Sequence, residues 1–237
     1  MKVLQSWWAT LEHCKDMKKI ILAITAFLSM MSSICSAQNI FNCEQFKEDT
    51  LAWQKIARSE PNSNWERATA ESEFFKVDKY GGITCNYIIS ANISTDIDKI
   101  RDLTRLWFQK RLSRNSLVSF DKDKDTFSTF INFSGVGYAT SIGSGAYINS
   151  PADLCISLKK DSIIFRMNVP HYNIGMCDFL SSKFENKYIS ECYPFNQRSG
   201  HKESFSRAYL NTITICFFEL KDYMEYLTKA YLKLNRK

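Results

Sequence analysis

Glycine and proline are scarce in this chain, at eight and four of 237 residues, which argues against long flexible linkers. Histidine is scarcer still, at three residues, and the sequence contains no His-x-x-x-His or paired Cys-x-x-Cys spacing. A structural zinc site is therefore not expected. The glycine patterns of dinucleotide-binding loops, phosphate-binding loops and serine hydrolase turns are missing as well. The sequence predicts no metal site, no cofactor and no recognisable catalytic residue.

The composition is that of an ordinary globular protein, with 45% hydrophobic and 24% charged residues. Phenylalanine and tyrosine, at 17 and 11 residues, suit a core built around a sheet. The formal charge is +6, and residues 1–37 hold four lysines and two acidic residues, so 27 basic and 23 acidic residues remain without them. This small and scattered excess does not indicate a nucleic-acid partner.

The chain begins with the residue order of a secretory signal. Lys18 and Lys19 precede a mostly apolar run from Ile20 to Ile34, and small residues lead to Ala37. This order predicts cleavage after Ala37 and export to the periplasm, the cell envelope or the medium. The run is shorter than the ~20 residues of a spanning helix. No transmembrane span is expected after signal removal, and a retained membrane anchor is the alternative.

The stretch from Gly82 to Leu112 predicts a strand that runs directly into a helix. From Ile83 to Ile93, apolar residues take alternate positions, which places them on one face of a strand. Thr95 and Asp98 have the spacing of a helix cap. Apolar residues then recur at helical spacing as far as Trp107, which predicts that this tryptophan faces the core.

The rest of the chain after residue 112 predicts an antiparallel meander followed by a long helix. Short alternating segments are separated by compact turns, as in a meander, and glycines between residues 134 and 146 predict a bend or loop within it. From Phe205 to Leu234, apolar residues recur at steps of three or four. The predicted fold class is α+β: an antiparallel sheet of about five strands with an N-terminal helix and a long C-terminal helix.

A family resemblance is carried by Gly82-Ile83-Thr84-Cys85, by Ile93-Ser94 and by the segment from Trp107 to Leu112. These residues resemble a family of exported bacterial domains of unknown function that is described as having a TBP-like fold. Such a fold has a strand, a helix, four antiparallel strands and a final helix. The resemblance covers residues 77–174 and implies this core and an exported protein. It implies no catalytic residue, because the family has no established activity.

These patterns together divide the chain into six parts. They are residues 1–16, preceding Met17 as an alternative start; 17–37, the signal peptide; 38–76, a helical segment with a connection; 77–174, the TBP-like core; 175–203, an irregular excursion; and 204–237, an amphipathic helix.

Six cysteines follow the predicted cleavage site, which leaves fifteen pairings open. Cys85, Cys155 and Cys216 lie inside apolar patterns, which predicts small core residues. Cys177 and Cys192 flank a polar segment, and they are the best candidates for a disulfide bond.

Three aspartates, Asp121, Asp123 and Asp125, imitate the start of a calcium-binding loop. Thr126 stands where that loop needs glycine, and Asn132 stands where it needs a bidentate glutamate. The flanking segments alternate like strands, so the sequence predicts a solvated hairpin turn.

The sequence is consistent with two main function classes and with a third, an envelope-associated structural protein. The first is a non-enzymatic binding or interaction module of the periplasm or envelope, whose unknown partner is an envelope protein, a glycan or an apolar ligand. Its site is expected in the loops or on an uncovered sheet face. The alternative is a hydrolase, for example a glycosidase, whose dispersed carboxylates meet only in the fold. The candidate carboxylates are Asp96, Asp98, Asp153 and Asp178.

Overall fold

The computed structural model describes residues 40–59, 81–91, 97–112, 117–141, 144–178, 182–192 and 202–234. The predicted signal peptide, its cleavage site and the capping residue Thr95 lie outside these ranges. All described residues belong to the unit Ile40–Lys237.

The described elements combine helices with strands in the order that the sequence predicts for an α+β protein. The helices are α1 (Glu44–Ser59), α2 (Ile97–Arg111), α3 (Ile189–Cys192) and α4 (Lys202–Leu234). The strands are β1 (Phe41–Asn42), β2 (Ile83–Ala91), β3 (Val118–Asp121), β4 (Thr126–Ser141), β5 (Ser144–Leu158), β6 (Ser162–Val169), β7 (His171–Asp178) and β8 (Ser182–Tyr188). The predicted fold class, with its antiparallel sheet and long C-terminal helix, is confirmed.

Within the described residues, eight strands form one antiparallel sheet. The core part has the order β1-β2-β6-β5-β4-β3. Strand β5 has two partners on one side: residues 153–158 pair with β6, and residues 144–149 pair with β7. Strand β8 adds to β7. The long β4–β5 hairpin therefore belongs to the core at one end and to a four-stranded extension at the other.

One face of the sheet, called the inner face here, is covered by helices. Strand β2 alternates buried and exposed residues along almost its whole length, as its sequence period predicts. Helix α4 buries its apolar stripe from Phe205 to Leu227, and the Tyr223 ring lies 6.3 Å from that of Phe165 on β6. Helix α2 packs beside α4, and its Phe108 ring lies 5.9 Å from that of Phe127 on β4. The core therefore lies between the inner face and the helices.

Helix α1 closes the β2 end of this core. The Phe46 ring packs edge-on against Tyr87 of β2 and Phe217 of α4, at centroid distances of 5.8 and 5.6 Å. The Tyr87 hydroxyl donates a hydrogen bond of 2.8 Å to Asp49 on α1. A helix, a strand and a second helix are thus joined through one aromatic cluster.

The predicted strand count of about five is too low, because the extension was not predicted. The segment 175–203, predicted to be irregular, contains the end of β7, all of β8 and the short helix α3, and its residues 193–201 lie outside the described ranges. Strand β8 has the sequence Ser-Lys-Phe-Glu-Asn-Lys-Tyr, which carries no continuous apolar face. Its extended form comes from pairing with β7, and periodicity cannot detect that.

The predicted glycine bend between residues 134 and 146 is wrong for most of its length. Strand β4 continues through it to Ser141, and β5 begins at Ser144. Among the described residues of this stretch, which leave out 142 and 143, the irregularity is a shift of register between Phe133 and Gly137. Gly135 lies within this bulge with φ +68°, a left-handed conformation that glycine adopts without steric cost.

Candidate functional site

The second face of the sheet, called the outer face here, is covered by no described helix. Neighbouring strands present opposite residues to the same face, so the strand register defines its composition. Small polar side chains dominate its core part, and Thr84 donates a hydrogen bond of 3.1 Å to Asn168 on the next strand. Ile88 and Phe130 are large apolar side chains there, and both are well exposed. This combination describes a solvent-facing surface with isolated apolar side chains.

An aromatic row crosses the extension on the outer face. Tyr138, Tyr147, Gly175 and Phe184 stand opposite one another on β4, β5, β7 and β8. The rings of Tyr147 and Phe184 lie 6.4 Å apart, and Phe184 is 74% exposed. Tyr138 is 45% exposed at the far end of the row. Three rings therefore form a solvent-facing apolar strip across four strands.

Gly175 allows this strip to be continuous. A Cβ atom at this position would lie 2.2 Å from Cζ of Tyr147, so the tyrosine ring occupies the space directly above the glycine. Tyr147 can thereby reach across β7 towards Phe184. The glycine is needed here for close approach of a ring.

An amide row lies beside the aromatic row on the same face. Asn149, Asn173 and Asn186 stand opposite one another on β5, β7 and β8, two residues along each strand from the aromatic row. Oδ1 of Asn149 accepts a hydrogen bond of 2.9 Å from the backbone N–H of Gly135. Oδ1 of Asn173 is buried and accepts none from the described residues, which is unusual for a buried acceptor. Tyr188, which is 60% exposed, continues the face beyond Asn186.

The aromatic and amide rows carry no formal charge. The charged residues of the outer face lie farther along, in its core part, where Asp153 and Arg166 flank the half-buried Cys155. Burial raises the pKa of the Cys155 thiol, Asp153 raises it further, and Arg166 opposes the shift. Cys155 is therefore a protonated thiol at neutral pH and a poor nucleophile. The sequence predicted a core residue here, whereas the residue lies on the outer face.

The structure separates the two described carboxylates, Asp98 and Asp153, that were predicted as hydrolase candidates. Asp98 is on α2, on the inner side of the sheet, where it pairs with Arg101. Asp153 is exposed on the outer face. Asp96 lies outside the described residues, as does the side chain of Asp178. The two described candidates are on opposite sides of the sheet and do not form a catalytic pair.

The predicted disulfide bond between Cys177 and Cys192 stays a prediction. Cys192 is a buried free thiol on α3, and burial raises its pKa to about 12. The backbone of Cys177 lies near the end of β7, opposite Ser182, while its side chain lies outside the described residues.

The aspartate run forms the turn between β3 and β4. Oδ1 of Asp121 accepts hydrogen bonds of 3.1 Å from the backbone N–H groups of Asp123 and Lys124. Arg101 holds Asp125 through two hydrogen bonds of 2.8 Å. An open hollow of about 410 Å³ separates this turn from the β5–β6 turn, and exposed Lys124, Lys159 and Lys160 line it. Strands flank the run on both sides, so it has the geometry of a hairpin turn rather than of a calcium loop.

Within the described ranges, no three histidine, cysteine or acidic side chains are grouped to hold a metal ion. None of the helices described here is both long and apolar enough to cross a membrane. The two faces of the sheet define the class of the protein: an α+β fold with helices on one sheet face and, among the described residues, a polar and aromatic face without a helix on the other.

Two solved structures are similar to this chain. One is a TBP-like protein from Parabacteroides distasonis, with 13% sequence identity and a TM-score of 0.46 over 62% of this chain and 96% of that chain. The other is a DUF4468 family protein from Bacteroides ovatus, with 14% identity and a TM-score of 0.43 over 63% of this chain and 88% of that chain. Their descriptions agree with the resemblance seen in the sequence. No protein-family model and no curated protein matches the chain.

Proposed function

We propose that this protein is a non-enzymatic binding module of the cell envelope that holds a neutral glycan on the outer face of its sheet. Export through a signal peptide cleaved after Ala37 is part of the proposal and rests on the residue order of the first 37 residues. The observation that carries the choice of ligand is the pair of neighbouring rows, one aromatic and one of asparagines, on an open sheet face.

The aromatic row suits the apolar side of a sugar ring. The face of an aromatic ring is electron-rich, and the axial C–H groups of a pyranose are weakly positive, so the two surfaces stack favourably. Neighbouring strands are ~4.8 Å apart, which is close to the width of a sugar ring. One sugar ring therefore covers about one strand of the aromatic row. The rings of Tyr147 and Phe184 have centroids 6.4 Å apart and planes at 74°, so a sugar can stack on the face of one ring while it contacts the edge of the other.

The amide row suits the hydroxyl groups of the same ligand. Each asparagine offers two N–H donors and one carbonyl acceptor, and a hydroxyl group both donates and accepts. Asn149 uses its oxygen for the Gly135 backbone, so its N–H groups are the donors that it can offer to a ligand. Because neither row is charged, the surface favours neutral sugars over anionic or cationic ligands.

The test is binding of the full chain to neutral polysaccharides and oligosaccharides by affinity electrophoresis and calorimetry. The panel contains dextran, mannan, xylan and chito-oligosaccharides. The proposal expects at least one ligand to bind, and it expects Phe184→Ala or Asn186→Ala to weaken binding at least tenfold. Phe218→Ala is the matched control, because Phe218 is a half-exposed phenylalanine on α4, away from the outer face.

Two results contradict the glycan proposal. The first is a complete lack of binding by the folded chain across the panel. The second is binding that Phe184→Ala and Phe218→Ala weaken equally. Recovery of one envelope protein in a pull-down that depends on Phe184 would keep the outer face as the site and replace the glycan by a protein partner.

A further inference from the structure

The two rows of the candidate site run across the strands and not along them. Tyr138, Tyr147, Gly175 and Phe184 follow one another from β4 to β8 by strand register. The amide row is parallel to this row and lies two residues away along each strand, which is ~7 Å. A ligand that contacts several members of both rows therefore lies across the sheet, with its length along the rows.

The aromatic row is longer than one sugar unit. It crosses four strands, so its members span ~14 Å from β4 to β8. Because one sugar ring covers about one strand, about three linked sugar units fill this length. Tyr138 is 45% exposed at one end and Phe184 is 74% exposed at the other, so the rings at both ends are accessible to a ligand.

Both ends of the row lie at an edge of the sheet. Among the described residues, β8 pairs only with β7. Strand β3 pairs with residues 126–129 of β4, so the part of β4 that carries Tyr138 has β5 as its one described partner. Since no described strand closes the row at either end, a chain longer than the row can pass over both edges. This geometry suits an internal stretch of a polysaccharide.

The rings of the row do not form one flat platform. The planes of Tyr147 and Phe184 meet at 74°. A crystalline polysaccharide presents a flat surface, which contacts several rings at once only where those rings share one plane. Rings at a steep angle instead fit a single chain whose successive sugar units are rotated about their glycosidic bonds. The ring geometry therefore favours a soluble chain over a crystalline surface.

We propose that the ligand of the outer face is an internal stretch of about three neutral sugar units in a soluble polysaccharide chain, which lies across β4, β5, β7 and β8 along the two rows. The inference rests on the proposed glycan-binding function and adds to it the length, direction and physical state of the ligand. A stacking contact on an aromatic ring is worth about two- to tenfold in affinity. Affinity therefore grows with chain length until the row is full.

Calorimetry of the full chain with oligosaccharides of one to six units measures this dependence. The probes are isomalto-, manno-, xylo- and chito-oligosaccharides. In a series that binds, affinity is expected to rise by about tenfold or more from one to three units and then to level off. Reduction of the terminal aldehyde with borohydride is expected to leave the affinity of the hexasaccharide unchanged, because an internal stretch does not use the chain end.

Tyr138→Ala tests the length of the site separately from binding itself. The disaccharide fits on Tyr147 and Phe184, so the variant should bind it as tightly as the unchanged protein does. Its affinity for the tetrasaccharide should fall about two- to tenfold, because the ring at the β4 end of the row is lost. Phe218→Ala on α4 is the matched control and should change neither affinity. Crystalline chitin and crystalline mannan are expected to retain none of the folded chain.

Three results would overturn this inference and leave the glycan proposal standing. They are a monosaccharide that binds as tightly as the hexasaccharide, equal losses of disaccharide and tetrasaccharide affinity in Tyr138→Ala, and retention on a crystalline polysaccharide that Phe184→Ala abolishes. A folded chain that binds no oligosaccharide of any series contradicts the glycan proposal itself, and this inference with it. The series on the unchanged protein decides the matter if a variant does not fold.

Discussion

The indole Nε1 of Trp107 on α2 donates a hydrogen bond of 2.8 Å to Asp222 on α4. Trp107 is 2% exposed, and its ring packs edge-on against Tyr223 and Phe108 at centroid distances of 5.0 Å. One turn away, the hydroxyls of Thr104 and Tyr223 lie 2.8 Å apart. The two helices are therefore joined by polar contacts that are embedded in an aromatic cluster, and Trp107 is at its centre.

Replacing Trp107 by alanine should lower the free energy of unfolding by about 3–5 kcal/mol. The loss combines a cavity in the aromatic cluster with an unpaired carboxylate at Asp222. Denaturant unfolding monitored by circular dichroism measures it. Trp107→Phe is the matched control: it keeps a ring but loses the N–H donor, and it should cost about 1–2 kcal/mol. An alanine variant with unchanged stability would mean that α2 does not pack as the structure shows.

The ion pair between Arg111 and Glu219 joins the same helices one turn further along α2, at its C-terminal end. Glu219 is 1% exposed, and its carboxylate accepts a hydrogen bond of 3.0 Å from Nε of Arg111. Removal of the arginine leaves a buried charge without its partner, so Arg111→Met should destabilise the protein by about 2–4 kcal/mol. Combining it with Glu219→Met should restore most of that loss, because an apolar pair needs no solvation.

The exposed pair between Arg105 and Asp102, with nitrogen and oxygen 3.3 Å apart, is the control for this prediction. Water already solvates both of its groups, so Arg105→Met should change stability by less than about 0.5 kcal/mol. Equal costs at Arg111 and Arg105 would show that burial of Glu219 does not govern the energetics of the first pair. Urea unfolding of the unchanged protein and of the three variants under one set of conditions provides the comparison.

The inner face was predictable from the sequence because its signals are local. Alternating apolar residues in β2 and the three-to-four spacing in α4 each describe one element that buries one face, and both predictions are confirmed. The same alternation separates Phe127, which is buried, from Phe130, which is 60% exposed on the opposite face. Periodicity therefore identifies which side chains share a face of an element.

The candidate site was not predictable in the same way, because it depends on pairing between distant strands. Asn149, Asn173 and Asn186 have no shared motif or regular spacing, and only the register of β5, β7 and β8 brings them into one row. Gly175 offers no sequence signal either, since its role is to leave room for Tyr147 on another strand. The sequence indicated an uncovered sheet face as one location for a site, but it did not identify these residues.

Replacing Gly175 by alanine should disturb the aromatic row without removing any aromatic residue. The new methyl group would overlap the Tyr147 ring, so the ring must move or β7 must shift. Such overpacking costs about 1–3 kcal/mol. Thermal unfolding measures the cost, and glycan binding measured on the folded variant should weaken with it. Gly145→Ala is the control, because its Cβ atom would lie an ordinary 3.5 Å from the Tyr138 hydroxyl. Equal stability of the two variants would contradict the close approach at Gly175.

The contact between Tyr87 and Asp49 should give the protein a measurable dependence of stability on pH. Burial raises the pKa of Asp49, and the hydrogen bond from the Tyr87 hydroxyl opposes that shift. A carboxyl group with a raised pKa in the folded state binds its proton more tightly there than in the unfolded chain. Its contribution to stability is therefore fully present below the unfolded pKa of about 3.9, and it is lost as the pH rises through the folded value.

Two variants should change this pH dependence in opposite directions. Asp49→Asn carries no charge at any pH and keeps an oxygen acceptor for Tyr87. Its stability relative to the unchanged protein should therefore increase between pH 3.5 and pH 7. These two pH values lie on either side of the ordinary aspartate pKa of about 3.9. Tyr87→Phe removes the hydrogen bond that holds the pKa of Asp49 down, so its stability should fall more over the same interval. Urea unfolding at the two pH values measures both effects. If the difference between Asp49→Asn and the unchanged protein stays constant with pH, burial does not penalise the Asp49 carboxylate, and α1 does not pack on β2 at this position as described.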